Sequence, residues 1–309
     1  MALIVSFIGF CLGLATLAGF FGGTWWVLDL MASFRHQLAA GLILWTLVAL
    51  AAKRKKAAAL IGAMALLNLA LIAPLFVGSS RPESGELRVL SFNILASNRR
   101  FDDVIAFIRA TDADVVVLHE VTRRWEEAMV EASQEFEDWE YEVTATRARG
   151  DLFGSLVLAA SEATVESFGF GLREPRAVEI LLPGDVSVLA IHPLSPYTEF
   201  RAEQNNRQLQ FAAEWAVEHP GPAVIVGDFN ATPWSYPFRR LMATTDLLNS
   251  ARGFGLELSY PADGNFLIRV PIDHLLHSPH LAVVDRRLGP ALGSDHFPLT
   301  VDLALVAGD

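Results

Sequence analysis

The stretch Ala223-Val-Ile-Val-Gly-Asp-Phe-Asn-Ala-Thr-Pro-Trp234 places an acid and an amide two residues apart, where an apolar, mostly β-branched run stops. Gly227 and Pro233 mark a turn, so strand gives way to loop where Asp228 and Asn230 arrive. If strand geometry persists there, both side chains project to one side and Phe229 turns into the core. An acceptor and an amide donor then converge on one small volume. A plain Asx turn closing a strand has the same D-x-N signature, so its company in the chain must decide.

That company is present at other strand ends. Asn93 comes late in the alternating run 87–95, and His119 and Glu120 end the β-branched run of 112–120. His192 closes 186–192, Asp273 stands beside a short apolar run in 270–278, and Asp295 and His296 are adjacent where a turn enters the last strand. Each has a bland reading of its own: a bend, a solvated loop carboxylate, a capped histidine. Together they form an oxygen-rich set suited to a hard divalent cation such as Mg²⁺ or Mn²⁺. The thiolates and the H-x-x-x-H helix of common zinc sites are missing, and the one cysteine, Cys11, lies in an apolar run.

The elements that must position these groups alternate between strand and helix. Residues 87–95 and 112–120 read as strands flanking a helix over 101–110, in which Val104, Ile105 and Ile108 share a face; this is a crossover unit. Residues 125–139 read as an amphipathic helix, 154–160, 177–182 and 186–192 as strands, 203–218 as a helix and 237–242 as a short helix. The segment 253–264 reads as loop.

The ordered set F-N, H-E, I-H-P, G-D-F-N-A-T-P, I-D-H and S-D-H-F-P-L resembles the endonuclease/exonuclease/phosphatase (DNase-I-like) superfamily over residues 87–305. That superfamily includes abasic-site endonucleases, DNase-I-like nucleases, inositol-polyphosphate phosphatases and bacterial sphingomyelinases. The resemblance implies an α/β protein, a four-layer α/β/β/α sandwich of two mixed sheets, and metal-dependent hydrolysis of a phosphate ester. It implies Glu120 as the main metal ligand, with Asn93 beside it and Asp295 at the same or a second Mg²⁺ or Mn²⁺. Asp228 would activate the attacking water and Asn230 would hold a phosphate oxygen. His296, paired with Asp273, would stabilise transition-state charge, with His192 on the phosphate's other side. The family commonly has Gln before the metal-binding Glu; here His119 takes that place.

Residues 1–78 are different in character. They hold five basic side chains and one acidic, a net +4 that leaves −15 on the rest of a chain whose total is −11. Uncharged or nearly uncharged runs at 2–21, 38–52 and 57–78 read as about three transmembrane helices, against about 20 residues for one crossing. The second run is short and would lengthen by recruiting His36 and Gln37. Trp25 and Trp26 fit interfacial anchors. Lys53-Arg54-Lys55-Lys56 marks the cytoplasmic side, which puts the body outside the cytoplasmic membrane. The polar stretch 79–86 reads as a linker, and 87–309 as the catalytic domain.

The anchor and the acidic body favour a small phosphoester, a lipid-linked phosphate or a pyrophosphate as substrate. Nucleic acid as partner is less favoured, because gripping it rests on basic side chains. The alternatives are an extracytoplasmic nuclease, using arginines such as Arg99, Arg100, Arg147 and Arg149, and a non-catalytic membrane interaction module.

Overall fold

The computed structural model describes residues 2–78, 82–136, 139, 141–146, 154–171 and 175–306. Arg147, Arg149 and residues 79–81 of the expected linker lie outside these. Two six-stranded mixed sheets pack face to face. The first contains β1 (Leu87–Asn93), β2 (Val115–Val121), β3 (Glu142–Thr146), β4 (Gly154–Ala159), β11 (Leu281–Leu288) and β12 (Leu299–Leu305), in the order β11-β12-β1-β2-β4-β3. The second contains β5 (Thr164–Phe168), β6 (Ala177–Leu182), β7 (Val186–Ile191), β8 (Ala223–Asp228), β9 (Leu248–Asn249) and β10 (Asp273–His277), in the order β5-β6-β7-β8-β10-β9. β1 and β2 are parallel, as are β7 and β8, because each pair is joined by a crossover.

Helices cover both outer faces. α5 (Phe101–Thr111) and α6 (Arg123–Glu135) bury Val104, Ile108, Trp125 and Met129 against Leu90, Phe92, Val116 and Leu118. α7 (Glu199–Glu218) and α8 (Tyr236–Thr244) bury Leu209, Trp215, Phe238 and Leu241 against Leu189, Ile225 and Leu276. α7 starts four residues before the expected 203, because the Thr198 side chain accepts a hydrogen bond from the Arg201 amide and caps it. The other inner-facing set, Val89, Val115, Val117, Val157, Val188, Val224, Val226 and Leu275, fills the space between the sheets. Short or half-exposed strands such as β3, β5 and β9 carry too weak an alternation to be read from sequence.

The first 78 residues form a helical head. α1 (Ala2–Ala18) continues as a 3₁₀ turn (Gly19–Phe21) and then bends by 117° into α2 (Trp26–Ala32). α3 (Arg35–Ala51) and α4 (Lys55–Ile72) form a hairpin, and a 3₁₀ turn (Ala73–Phe76) ends it. Among the described residues, Lys55–Phe76 is the one helix long and apolar enough by itself to cross a membrane; the bent pair α1 and α2 counts as a second only if taken together, and α3 has 17 residues. α3 does begin early enough to include His36 and Gln37, but their side chains do not extend an apolar span. Both reach the Arg269 carbonyl of the body, at 2.9 Å each. Asn68, the polar interruption of α4, is buried and donates to the Thr16 hydroxyl at 2.9 Å, while Arg35 donates to the Thr16 carbonyl at 2.7 Å.

Head and body share an interface. Ala32, Ala39, Ile72 and Leu75 pack with Trp234 and Ala251, and Trp234 Nε1 donates to the Leu71 carbonyl at 3.0 Å. Asp29 accepts from the Tyr236 amide at 2.6 Å, and the amides of Gly253 and Gly255 both reach the Leu75 carbonyl. Burying a side chain such as Leu75 or Trp234 contributes roughly 2 kcal/mol. The described end of the expected linker is also tied down, since the Glu86 amide donates to Leu303 O at 2.9 Å.

Candidate active site

The inter-sheet core changes character at one rim. On β1 the inner face runs Val89, Ser91, Asn93; on β2 it runs Val115, Val117, His119; on β8 it runs Val224, Val226, Asp228. Strand alternation carries each apolar column directly into a polar residue, with Ser155, Asp273 and His192 completing the layer from β4, β10 and the end of β7. The site is thus the outermost layer of the sandwich core, made polar.

Glu120 reaches this layer through a bulge. The β2–β4 register shifts between His119 and Val121, and Glu120 has φ +58°, a left-handed value uncommon for a non-glycine residue. The shift returns Val121 to the helix-side core and frees the Glu120 carboxylate at the rim, where it accepts from the Ala96 amide (3.2 Å) and from Asn93 Nδ2 (3.2 Å). Strand geometry also fails to persist beyond Asp228. Phe229 is fully buried as expected, but Asn230 turns to φ +48° and folds back, its amide and Nδ2 donating to Asp228 at 2.9 and 3.2 Å. The expected pairing of the two residues holds through a turn and not through a strand face.

Asp228 is the hub. Its Oδ2 has Asn93 Nδ2 at 3.1 Å, Asn230 Nδ2 at 3.2 Å, His192 Nε2 at 3.5 Å and His296 Nε2 at 3.6 Å. Burial raises its pKa, and Asp273 adds to this, against lowering by His296 and His192. Asp273 Oδ2 pairs with His296 Nδ1 at 2.8 Å. Burial opposes both charges, yet each sustains the other: Asp273 is lowered by His296 and by hydrogen bonds from His296 and Ser259, and His296 is pushed up to about 10 by Asp273 and Asp228. The ring is therefore an imidazolium at neutral pH, its Nε2 side turned to Asp228.

Asp295 is half-buried beside these groups. Burial raises its pKa, and the negative charges of Glu120 and Asp263 raise it further, against lowering by His296. A carboxylate whose charge is opposed by a neighbouring carboxylate is a fitting place for a hard divalent cation, so Asp295 with Glu120 beside it suits one. Asn93 presents its Nδ2 to Glu120, and its Oδ1 accepts from the Leu95 amide at 3.1 Å; ligation through oxygen would need the amide turned over. Asp228, Asp273 and His296 also have ligand atoms within 4.8 Å of one another, close enough to hold one ion. In that triad the Asp273–His296 hydrogen bond already occupies two of the three groups, so Glu120 and Asp295 are the more open donors.

Sequence reading missed the supports. Ser294 donates to the Asn93 carbonyl at 2.6 Å and accepts from the His296 amide at 3.1 Å, tying β1 to the S-D-H turn. Ser259 accepts from the Asp273 amide at 3.2 Å, and the Tyr260 ring lies 4.8 Å from that of His296. Asn205 on α7 donates to the carbonyls of Leu194 and Phe229, joining the two loops that carry His192 and Asn230. A polar residue on the buried face of a helix was the signal available for Asn205; Ser259 offered none. His119, in the place of the family's glutamine, is buried and held well below the usual histidine range by burial and by His192 and His296, so it is neutral. Its Nδ1 lies 3.2 Å from Ser155 Oγ.

A cavity of about 690 Å³ opens at the opposite end of the sandwich among Glu86, Arg109, Asp112, Asp114 and Tyr141. It contains none of the groups above.

A two-sheet α/β sandwich with acids, amides and a carboxylate-paired histidine on one rim is consistent with the DNase-I-like fold. The sequence profile of the Endonuclease/Exonuclease/phosphatase family matches residues 90–296, and the chain belongs to that family. Its members are typically hydrolases acting on phosphate esters and generally depend on divalent metals. Among curated relatives, the chain is 24% identical over 240 residues to a UPF0294 protein of Vibrio campbellii, covering 72% of this chain and 79% of that protein. It is 36% identical over 88 residues to a UPF0294 protein of Vibrio vulnificus, a match spanning 28% of this chain and only 29% of that relative. The fold is similar to the human Nocturnin catalytic domain (TM-score 0.55, 20% identity, covering 75% of this chain and 99% of that one). It is also similar to a humanized zebrafish (D. rerio) TDP2 (TM-score 0.57, 15% identity, 70% and 98% coverage).

Proposed function

We propose that this chain is a membrane-anchored, divalent-metal-dependent phosphohydrolase that cleaves a phosphate ester or pyrophosphate, carried by a lipid, outside the cytoplasmic membrane. The observation that carries the reading is the meeting of Glu120, Asp228, His192 and the Asp273–His296 pair on one rim of a body whose neighbouring loops are bound to the apolar head. The bound cation would neutralise phosphoryl charge, held by Glu120 and Asp295. Asp228, with its raised pKa, accepts the proton of the attacking water, and Asn230 keeps that carboxylate in place. His296, charged through Asp273, and His192 offer N–H groups to the phosphoryl oxygens as charge develops.

Topology supports the side. The basic loop Lys53–Lys56 closes the α3–α4 hairpin at the end away from Leu75 and His36, where the body docks. Helices of 17 and 18 residues separate the two ends by about 25 Å. A cytoplasmic basic loop would leave the body on the other side. Of the arginines that a nuclease would use, Arg100 pairs with Asp103 and Arg99 donates to the backbone carbonyls of Ala96 and Asn98, while Arg147 and Arg149 lie outside the described residues.

The deciding experiment offers full-length protein, with Mg²⁺ or Mn²⁺, a soluble phosphomonoester, plasmid DNA, a sphingomyelin-type diester and a polyprenyl pyrophosphate side by side. Turnover of a lipid-borne substrate is expected; turnover of DNA alone would replace this reading with the nuclease.

A further inference from the structure

Residues 259–270 leave the sandwich as a built loop. Tyr260 and Val270 exchange backbone hydrogen bonds at 3.1 and 2.6 Å and close its neck. Inside it, Arg269 donates to the carbonyls of Pro261 and Ala262, both at 2.8 Å, and Asn265 Oδ1 caps the Leu267 amide at 3.0 Å. A loop so braced could have folded its apolar side chains inward. Instead the 3₁₀ turn Phe266–Ile268 presents Phe266, Leu267 and Ile268 outward, 67%, 59% and 56% exposed. Three consecutive large apolar side chains held in water by a fixed scaffold call for a partner.

The loop's attachment identifies that partner. The Arg269 carbonyl, next after Ile268, accepts hydrogen bonds from both His36 and Gln37, the second and third residues of α3. From there α3 continues with Ile43, Leu44, Leu47 and Leu50 exposed on its outer face, and α1 and α4 likewise expose Phe10, Leu14, Leu60 and Leu66. The apolar tip thus begins where the apolar outer surface of the head ends. On the other flank, Tyr197 and Phe200, 62% and 59% exposed, belong to a segment in which Pro196 and Glu199 share a cavity with Trp25 and Trp26 of the head.

We infer that Phe266-Leu267-Ile268 is a bilayer-seated wedge, inserted into the leaflet that surrounds the body-side end of the head, and that it sets the mouth of the active site at headgroup level. This deepens the proposed function and rests on it for the membrane. The wedge and the site are one construction: the same loop supplies Ser259 to Asp273, sets the Tyr260 ring tilted 4.8 Å from that of His296, and donates the Ala262 amide to the Asp295 carbonyl at 2.7 Å. Seating the tip in lipid therefore holds the wall of the site over the headgroups, where a phosphate borne by a lipid would stand.

Depth can be measured without turnover. Spin labels are placed singly at Phe266→Cys, Leu267→Cys and Asp263→Cys in full-length protein carrying Cys11→Ser, reconstituted in phosphatidylcholine–phosphatidylglycerol vesicles. Leu47→Cys and Val217→Cys serve as apolar-head and aqueous references. Positions 266 and 267 are expected to collide with oxygen in preference to a water-soluble nickel chelate, as position 47 does, and position 263 to read at the lipid–water boundary. Labels at 266 and 267 as aqueous as that at 217 would overturn the wedge. Because no catalysis is required, buried labels on a protein inert toward every phosphoester would remove the proposed function and keep the wedge, whereas aqueous labels on an active enzyme would do the reverse.

Discussion

Asp228 and Asp273 stand directly opposite each other in the β8–β10 register, both on the inner face of the sheet. Two facing buried carboxylates repel, and the fold reconciles them by placing His296 against both, 2.8 Å from Asp273 and 3.6 Å from Asp228. The imidazolium sits against both acids, so this relationship offsets their repulsion.

Replacing Asp273 by Asn should remove the main support of that imidazolium. The His296 pKa is expected to fall by several units from about 10, toward or below its ordinary 6.5, read by histidine NMR titration. Turnover at neutral pH should drop by about 10²-fold or more. A His296 titration that stays where it was would show that Asp273 is not its partner.

Asp228→Ala and Glu120→Ala should remain folded and lose about 10³-fold or more in phosphoester hydrolysis, since one removes the proton acceptor and the other the leading cation ligand. Chelation of divalent ions should abolish wild-type activity, and Mg²⁺ or Mn²⁺ should restore it. Retained hydrolysis in either variant would contradict the assigned roles.

Acid should destabilise the fold through His274. This ring is buried between Phe229 and Phe238, and burial lowers its pKa from 6.5 to about 4. A histidine whose folded value is depressed keeps its full contribution above pH 6.5, and stability is lost as pH falls from 6.5 toward 4, on the order of 3 kcal/mol. Thermal midpoints of the wild type should fall over that window, and those of His274→Gln should fall less. Parallel curves would place the acid sensitivity elsewhere.

Gly227 should tolerate no side chain. Its φ is +144°, and a Cβ there would meet the Ile191 carbonyl oxygen at 2.0 Å and His119 Nε2 at 2.7 Å. Gly227→Ala is expected to cost about 3 kcal/mol or more, because backbone and a buried ring must both shift. A thermal midpoint within a degree or two of wild type would refute this.

Removing residues 1–78 should not release a well-behaved body. Trp234 and Ala251 would lose the apolar cover of Ile72 and Leu75, and Trp234 Nε1 its acceptor. The truncated chain is expected to melt at lower temperature and self-associate on size exclusion; an equally stable monomer would make the head a mere tether.

The sequence by itself marked the polar residues that gather at the rim. Residue types at strand ends marked Asn93, Glu120, His192, Asp228, Asn230, Asp273, Asp295 and His296, because strand alternation is a local property and a polar residue ending an apolar column is visible in one dimension. The ordered motifs then carried the family and its two-sheet sandwich. Only the tertiary structure decided how those residues meet. That Asp228 faces Asp273, that Glu120 sits on a bulge, and that Ser259, Ser294 and Asn205 hold the loops all depend on strand register and on contacts between segments 100 or more residues apart in several cases, such as Ser294 with Asn93. The head shows the same division. Its apolar runs were legible from composition, but the docking of His36 and Gln37 on Arg269, more than 230 residues away, follows from packing between distant surfaces that no local pattern encodes.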